Sequence, residues 1–154
     1  MKVTEFLDVK GIKLDLQASE KQDILKELVD VLADVKDIGD KKLILKALLE
    51  RESLGSTGIG QGIAIPHGKT DKVSELISVL AISKKGVNFE ALDGEPVYIF
   101  FLLVAPKDAA GPHLKALAQI SRMLRDTYFC DLLRRCESTE QVYELIRKEE
   151  NRKS

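Results

Sequence analysis

The chain has 154 residues and a nearly balanced charge, with 24 Lys and Arg against 25 Asp and Glu and a net charge of −1. A length near 150 residues is typical of a single domain that needs no disulfide or metal to fold, and we expect one domain over 1–154. The sequence pI of about 6.2 argues against a nucleic-acid binder, whose domains usually have a pI above about 9. The longest apolar run, Val97–Ala105, is about half as long as a membrane span. We therefore expect a cytoplasmic protein without nucleic-acid partners or membrane insertion.

Few residues of this chain could carry metal or redox chemistry. Cys130 and Cys136 are the only cysteines, and six positions along a helix place them about 240° apart, which is a poor arrangement for a metal pair. His67 and His113 are the only histidines, too few for a three-histidine zinc site. We therefore predict no metal and no cofactor, and any imidazole chemistry must use these two histidines.

The apolar spacing predicts two helices, followed by a glycine-rich segment. Glu20–Val35 has apolar residues on one face, and Ser19 with Gln22 predicts a capping box at its start. A second stripe predicts a helix over Asp40–Arg51. Within the glycine-rich segment, Ile63–Ile65 is predicted to form a short strand.

Two strands and a third helix are predicted next. Leu76–Ser83 and Val97–Ala105 have strand character, and the second is apolar on both faces, as expected of a central strand in a covered sheet. Gly111–Pro112 opens a helix, because proline is tolerated in the first turn. Its apolar stripe is predicted to consist of Leu114, Leu117, Ala118, Ser121 and Leu124.

The C-terminal third is predicted to be helical. Helices are expected over Thr127–Cys136 and Ser138–Lys148, with Ser138 and Gln141 as a second capping box. The last six residues are expected to be a frayed, solvated end. Helices before, between and after the strands predict an α/β domain, a mixed β-sheet flanked by helices on both faces.

The glycine-rich stretch Gly55–Thr70 does not match the common phosphate-binding loops. Gly68-Lys69-Thr70 resembles the end of a Walker loop, but Ile63 occupies the position that requires the first glycine. The dinucleotide pattern starting at Gly58 also requires glycine at Ile63. Both motifs follow a strand, whereas a predicted helix precedes this stretch, so both are excluded.

The other notable feature of this stretch is the Pro66-His67-Gly68 sequence. Proline removes a backbone donor and fixes its own φ, and glycine allows another molecule to approach the backbone closely. A histidine held between them at a strand end can be presented to solvent. The residues alone leave two interpretations open, a functional imidazole and a surface histidine without a role.

A family resemblance separates these interpretations. The run Glu52–Gly68 resembles the signature of the type-2 enzyme IIA domains of the bacterial phosphoenolpyruvate-dependent sugar phosphotransferase system, which include fructose, mannitol and nitrogen-regulatory branches. The resemblance continues through Leu92–Val97, Phe101–Pro106 and His113–Ala118 and covers essentially the whole chain. The sequence of Gly55–Lys69 most resembles that of the nitrogen-regulatory branch.

The resemblance implies roles for three residues. His67 would accept a phosphoryl group at its tele (Nε2) nitrogen, Arg51 would clamp the phosphate, and His113 would contact or orient it. A neutral imidazole is nucleophilic at pH 7, and a guanidinium fork matches phosphate oxygens. Without the resemblance, Arg51 is equally explained as a helix-end cation, and His113 as a half-buried polar residue near a helix start.

The resemblance also implies partners. The donor would be a histidine-containing phosphocarrier, and the expected role is that of a nitrogen-regulatory IIA protein whose phosphorylation state decides which regulatory targets it binds. The alternative is a transport component that passes the phosphoryl group to a fructose- or mannitol-type IIB domain. Ile59 and Ile63 are expected to lie in the partner surface near His67. A metal-dependent hydrolase is disfavoured by the two histidines, and a purely structural module leaves the glycine-rich stretch unexplained.

Overall fold

A computed structural model describes residues 1–152, which contain five α-helices and six strands besides two short 3-10 turns. The strands are β1 (Ile12–Lys13), β2 (Gly58–Gly60), β3 (Ile63–Ala64), β4 (His67–Thr70), β5 (Ile77–Val87) and β6 (Val97–Pro106). The helices are α1 (Lys21–Val35), α2 (Lys41–Ser53), α3 (Ala110–Leu124), α4 (Thr127–Arg135) and α5 (Thr139–Arg152). No helix within these residues is long and apolar enough to cross a membrane.

The sheet is mixed and is built around β6. Strand β5 pairs with β6 in an antiparallel manner, and β1 lies parallel to β5 at one edge. On the other side of β6, β3 and β4 pair with successive parts of β6, with Ile63 opposite Ile99 and His67 opposite Leu103. Strand β2 pairs with β3 at the outer edge. Because β6 has neighbours on both sides, its side chains are almost all buried, as its apolar sequence predicts.

Helices cover both faces of the sheet, which confirms the predicted α/β architecture. Alternate residues of β6 point to opposite faces, so that Phe100 and Leu102 join the core beneath α1 and α2. Phe101 and Leu103 join a second core beneath α3, α4 and α5.

The start of α1 differs from the prediction. Glu20, and not Ser19, is the N-cap, and its side chain makes no capping hydrogen bond. The Ser19 carbonyl accepts a hydrogen bond from the Asn88 N–H at 3.0 Å, which holds the chain extended before the helix. The capping box predicted at Ser19 and Gln22 is therefore wrong. At α5, by contrast, the Ser138 hydroxyl accepts from the Gln141 N–H at 3.1 Å, which is one bond of the predicted capping box, while the Gln141 side chain accepts from the Glu137 N–H at 2.8 Å and not from that of Ser138.

The buried face of α3 is one residue out of register with the predicted stripe. The residues of this face are His113, Ala116, Ile120, Met123 and Leu124. Leu114, which the periodicity placed inside, is 68% exposed. Adjacent residues on a helix are about 100° apart, so a stripe of mixed apolar and small residues is compatible with either face. With this register the side chain of His113 lies on the buried face of α3.

The C-terminal segment is more ordered than a frayed end. Helix α5 continues to Arg152, and the Glu150 carboxylate accepts hydrogen bonds from the backbone N–H groups of Val3 and Thr4 at 2.8 and 3.4 Å. The Lys2 ammonium donates to the Asn151 side chain at 2.7 Å. The predicted fraying is wrong for residues 149–152, and its last two residues, like the end of the predicted domain 1–154, lie outside the described part of the chain.

Candidate functional site

The glycines before His67 build a hairpin. Gly60, Gln61 and Gly62 have φ values of 98°, 58° and 80°, a left-handed geometry that glycine adopts without a steric penalty. This turn joins β2 to β3. A Cβ on Gly62 would also lie only 3.2 Å from the Tyr98 ring. The glycine-rich composition is therefore explained by the local backbone.

His67 begins β4 and does not lie at the end of the strand before it. The predicted strand Ile63–Ile65 ends at Ala64, and the Pro66 carbonyl accepts from the Leu103 N–H at 2.9 Å. Strand β4 was not predicted, because a histidine, a glycine and two polar residues carry no strand pattern. Gly68 packs on α2, where a Cβ would meet Leu48 at an ordinary 3.5 Å. The close neighbour of this glycine is therefore a helix of the same chain.

A backbone hydrogen bond selects the tautomer of His67. Its Nδ1 lies 2.8 Å from the Ile65 carbonyl oxygen. A carbonyl only accepts, so Nδ1 must carry the proton, and Nε2 of the neutral ring keeps its lone pair. Burial lowers the pKa of His67, as does the nearby Arg51 charge, and the Ile65 hydrogen bond opposes them in part. His67 is therefore a neutral imidazole at pH 7 with Nε2 as the nucleophilic nitrogen.

His113 lies beside His67 with its ring buried. The two ring centroids are 5.6 Å apart and the rings are inclined by 73°. His113 is 4% exposed, and within residues 1–152 its Nε2 has no hydrogen-bond partner. Burial lowers the pKa of His113 to about 4, helped by repulsion from His67 once that ring is protonated and by the charge of Lys69. A buried polar nitrogen without a partner is costly, and an incoming oxygen or N–H group at this pocket could satisfy it.

Arg51 lies in the last turn of α2, where its Nη1 donates to the Gly55 carbonyl at 2.9 Å. This bond turns the guanidinium toward the following loop and occupies one of its five N–H donors. Arg51, His67 and His113 line one pocket of about 490 Å³. The structure thus brings together all three residues that the sequence analysis selected.

Two contributors to this region were not selected from the sequence. Lys69 lines the same pocket, and its position two residues after His67 on β4 places it on the same side of the strand. Glu52 is 7% exposed and pairs with Lys21 at 2.8 Å. The Arg51-Glu52 sequence at the predicted helix end is the signal that could have identified Glu52. An acid is almost never fully buried unless it is paired, so a buried acid at this position needs a partner.

The low pKa of His113 leads to a prediction on stability. The unfolded chain binds a proton at this histidine near pH 6.5, whereas the folded chain binds it only near pH 4. Stability from the neutral ring is therefore complete above about pH 6.5 and is lost as the pH falls toward 4. We expect urea midpoints to fall over this range, and to fall less in His113→Gln. A His113→Gln variant with the same pH dependence as the wild type would contradict the prediction.

Comparison with known proteins identifies the family to which this chain belongs. Residues 5–149 match the family "Phosphoenolpyruvate-dependent sugar phosphotransferase system, EIIA 2". The chain therefore belongs to this family, as the sequence resemblance predicted.

Relatives in this family carry two kinds of name. The chain is 36% identical to a nitrogen regulatory protein of Bradyrhizobium diazoefficiens, over 95% of both chains. It is 38% identical to a fructose-specific EIIABC component of Bacillus subtilis, over 95% of this chain but 23% of that protein. The crystal structure of nitrogen regulatory protein IIA-Ntr from Neisseria meningitidis superposes with a TM-score of 0.87 at 30% identity, covering 94% of this chain and 98% of that chain.

Proposed function

We propose that the chain is a phosphoryl carrier that accepts a phosphoryl group on Nε2 of His67 from a histidine-containing phosphocarrier. The observation that carries the proposal is the hydrogen bond from Nδ1 to the Ile65 carbonyl, which leaves the Nε2 lone pair for attack. In the transfer, the P–N bond to the donor imidazole breaks as a new P–N bond forms at Nε2. The proton stays on Nδ1, hydrogen-bonded to the Ile65 carbonyl, so the phosphorylated ring needs no further proton.

The neighbouring residues would stabilise the transferring group. Phosphoryl transfer depends mostly on positioning and on charge stabilisation, and Arg51 can direct its remaining donors at phosphate oxygens while one holds Gly55. Lys69 adds a second cation at the rim of the pocket. His113 would contact the phosphoryl group or hold His67 in place. This makes the chain a phosphotransferase component that needs no cofactor, working in the cytoplasm with its donor.

A nitrogen-regulatory role is the favoured form of this function. The relative named for nitrogen regulation matches over nearly its full length, and the solved protein of that name matches with a TM-score of 0.87. In this role the phosphorylation state would decide which regulatory targets the chain binds. The alternative is transfer to a fructose- or mannitol-type IIB domain, which the fructose-specific relative supports.

One cascade experiment tests the carrier and separates the two roles. The protein is incubated with labelled phosphoenolpyruvate, enzyme I and the phosphocarrier, and the label is located by mass spectrometry. We expect one phosphoryl group on the chain. A fructose- or mannitol-type IIB domain is then offered. Rapid loss of label to IIB would favour the transport role, whereas retention would favour regulation. A chain that takes up no label would refute the carrier proposal.

Donor and acceptor must reach the same imidazole, so we expect overlapping docking surfaces. The expectation that Ile63 contributes is wrong, since this side chain is 4% exposed, whereas Ile59 is 49% exposed. The exposed apolar residues that border the His67 pocket are Leu54 and Leu114, at 83% and 68%. Apolar side chains of this kind provide the centre of many protein interfaces.

This surface predicts a defect in docking when Leu114 is changed. Residues at the centre of an interface belong to the minority whose loss costs more than about 1 kcal/mol, so Leu114→Ser in that position should raise the donor concentration for half-maximal transfer about 5- to 10-fold. The matched control is Leu92→Ser, which removes a leucine that is 76% exposed and does not line the pocket. Equal half-maximal concentrations for the two variants would argue against docking at Leu114. Simultaneous binding of donor and acceptor would contradict the overlapping surface itself.

A further inference from the structure

A buried ion pair lies behind the His67 pocket. The Glu52 side chain, on the last turn of α2, is 4% exposed, and its Oε1 lies 2.8 Å from Nζ of Lys21, whose side chain is 16% exposed. The Lys21 ammonium also lies 4.8 Å from the centroid of the Phe89 ring. Removing two charges from water is costly unless their hydrogen bonds are satisfied, so the carboxylate needs further donors.

Thr57 supplies those donors to the Glu52 carboxylate. Its backbone N–H lies 3.2 Å from each carboxylate oxygen, and its hydroxyl donates to Oε2. Thr57 is 4% exposed, so these contacts are shielded from solvent. Charge-assisted bonds to one carboxylate therefore fix the position of the Thr57 backbone.

The Thr57 backbone in turn is connected to the proposed phosphoryl acceptor. The Thr57 carbonyl accepts from the Ile65 N–H at 3.0 Å, and the Ile65 carbonyl accepts from Nδ1–H of His67 at 2.8 Å. A continuous path of hydrogen bonds thus runs from Glu52 through Thr57 and Ile65 to the imidazole. The tautomer of a histidine is set by the hydrogen bond that its other nitrogen makes.

From this path we propose that Glu52 is a positioning residue, which holds the Ile65 carbonyl, through Thr57, where it keeps His67 in the tautomer with a free Nε2. A ring that carries its proton on Nε2 has no lone pair there to attack phosphorus. The effect on phosphoryl transfer rests on the proposed function. The effect on the tautomer does not, because it exists in the unphosphorylated protein. The negative charge of Glu52 also raises the pKa of His67, which agrees with its proximity.

The test compares tautomer and transfer rate in four variants. Glu52→Gln removes the charge, Thr57→Val removes the hydroxyl, and Thr57→Ser restores it. The matched control is Glu27→Gln, because Glu27 also pairs with a lysine, Lys13 at 3.1 Å, and accepts from backbone N–H groups, without any link to His67. Imidazole ¹⁵N shifts report the tautomer of His67 by NMR, and single-turnover transfer from the phosphocarrier reports the rate.

We expect Glu52→Gln and Thr57→Val to populate the Nε2–H tautomer and to slow transfer about 10–100-fold, the range known for losing a group that orients a metal-ligating imidazole. Thr57→Ser and Glu27→Gln should retain the wild-type shifts and rate. Unchanged His67 shifts in folded Glu52→Gln or Thr57→Val would overturn the proposal, and so would a slower transfer with an unchanged tautomer. If circular dichroism shows that Glu52→Gln is unfolded, the Thr57→Val and Thr57→Ser pair decides. Failure of the wild-type chain to take up label would refute the carrier function and leave the tautomer result standing.

Discussion

His67→Ala is expected to abolish phosphoryl uptake while leaving the fold intact. The wild-type protein should take up one phosphoryl group, stable in base and lost in acid as for a phosphoramidate. The ring is partly exposed at the start of β4, and its Nδ1–H donates to the Ile65 carbonyl. Its removal therefore leaves no buried charge behind. The measurement is mass spectrometry of the intact protein after incubation with the complete donor cascade.

The other histidine provides the control for this result. His113 is buried and its pKa is lowered to about 4. Its ring is therefore neutral at pH 7 and could act as a nucleophile toward a phosphoryl group. Its 4% exposure blocks an in-line approach by a protein donor. If His67→Ala still accepts label at the normal rate, the assignment of the acceptor is wrong, and peptide mapping would show whether His113 carries the label.

Much of the fold could be predicted from the sequence because its signals are local. The apolar run Val97–Ala105 predicted the central strand, and β6 spans Val97–Pro106. The helix predicted over Asp40–Arg51 is α2, with Asp40 as a capping side chain that accepts from the Lys42 N–H. Apolar periodicity and caps act within a few residues, which is why these elements were found.

The elements that were missed depend on partners distant in the chain. Strand β4 exists because His67–Thr70 pairs with Leu103–Pro106, and the buried face of α3 is decided by its packing on β6. The Glu52 contacts likewise require Lys21 from another helix. The roles of Arg51, His67 and His113 were predicted from a family resemblance. Such a resemblance carries information on which residues distant in the chain lie close together in the fold, and spacing alone lacks that information.

Arg51→Ala is expected to slow phosphoryl transfer about 10²–10³-fold, the typical cost of losing one charged or hydrogen-bonding group that stabilises the transition state. Arg51 borders the pocket and keeps donors free beyond the bond to Gly55. The transferring group spreads its charge over three oxygens, which a planar fork can contact at two points. Arg51→Lys should rescue the rate only in part, because an ammonium lacks that fork.

His113→Ala should cost less than Arg51→Ala, because His113 is neutral and offers a single nitrogen. Its Nε2 has no partner within the described residues, and its ring lies 5.6 Å from that of His67. A bond from Arg51 to a phosphate oxygen has charge on both the donor and the acceptor and can be bidentate, whereas a bond from neutral His113 has charge on the acceptor alone. We therefore expect transfer rates to fall in the order wild type, His113→Ala, Arg51→Ala, His67→Ala. Single-turnover transfer from the phosphorylated carrier measures this order, and circular dichroism shows whether each variant is folded. Wild-type rates for folded Arg51→Ala and His113→Ala would remove both residues from the site and leave the Glu52–Thr57–Ile65 path as the support for His67.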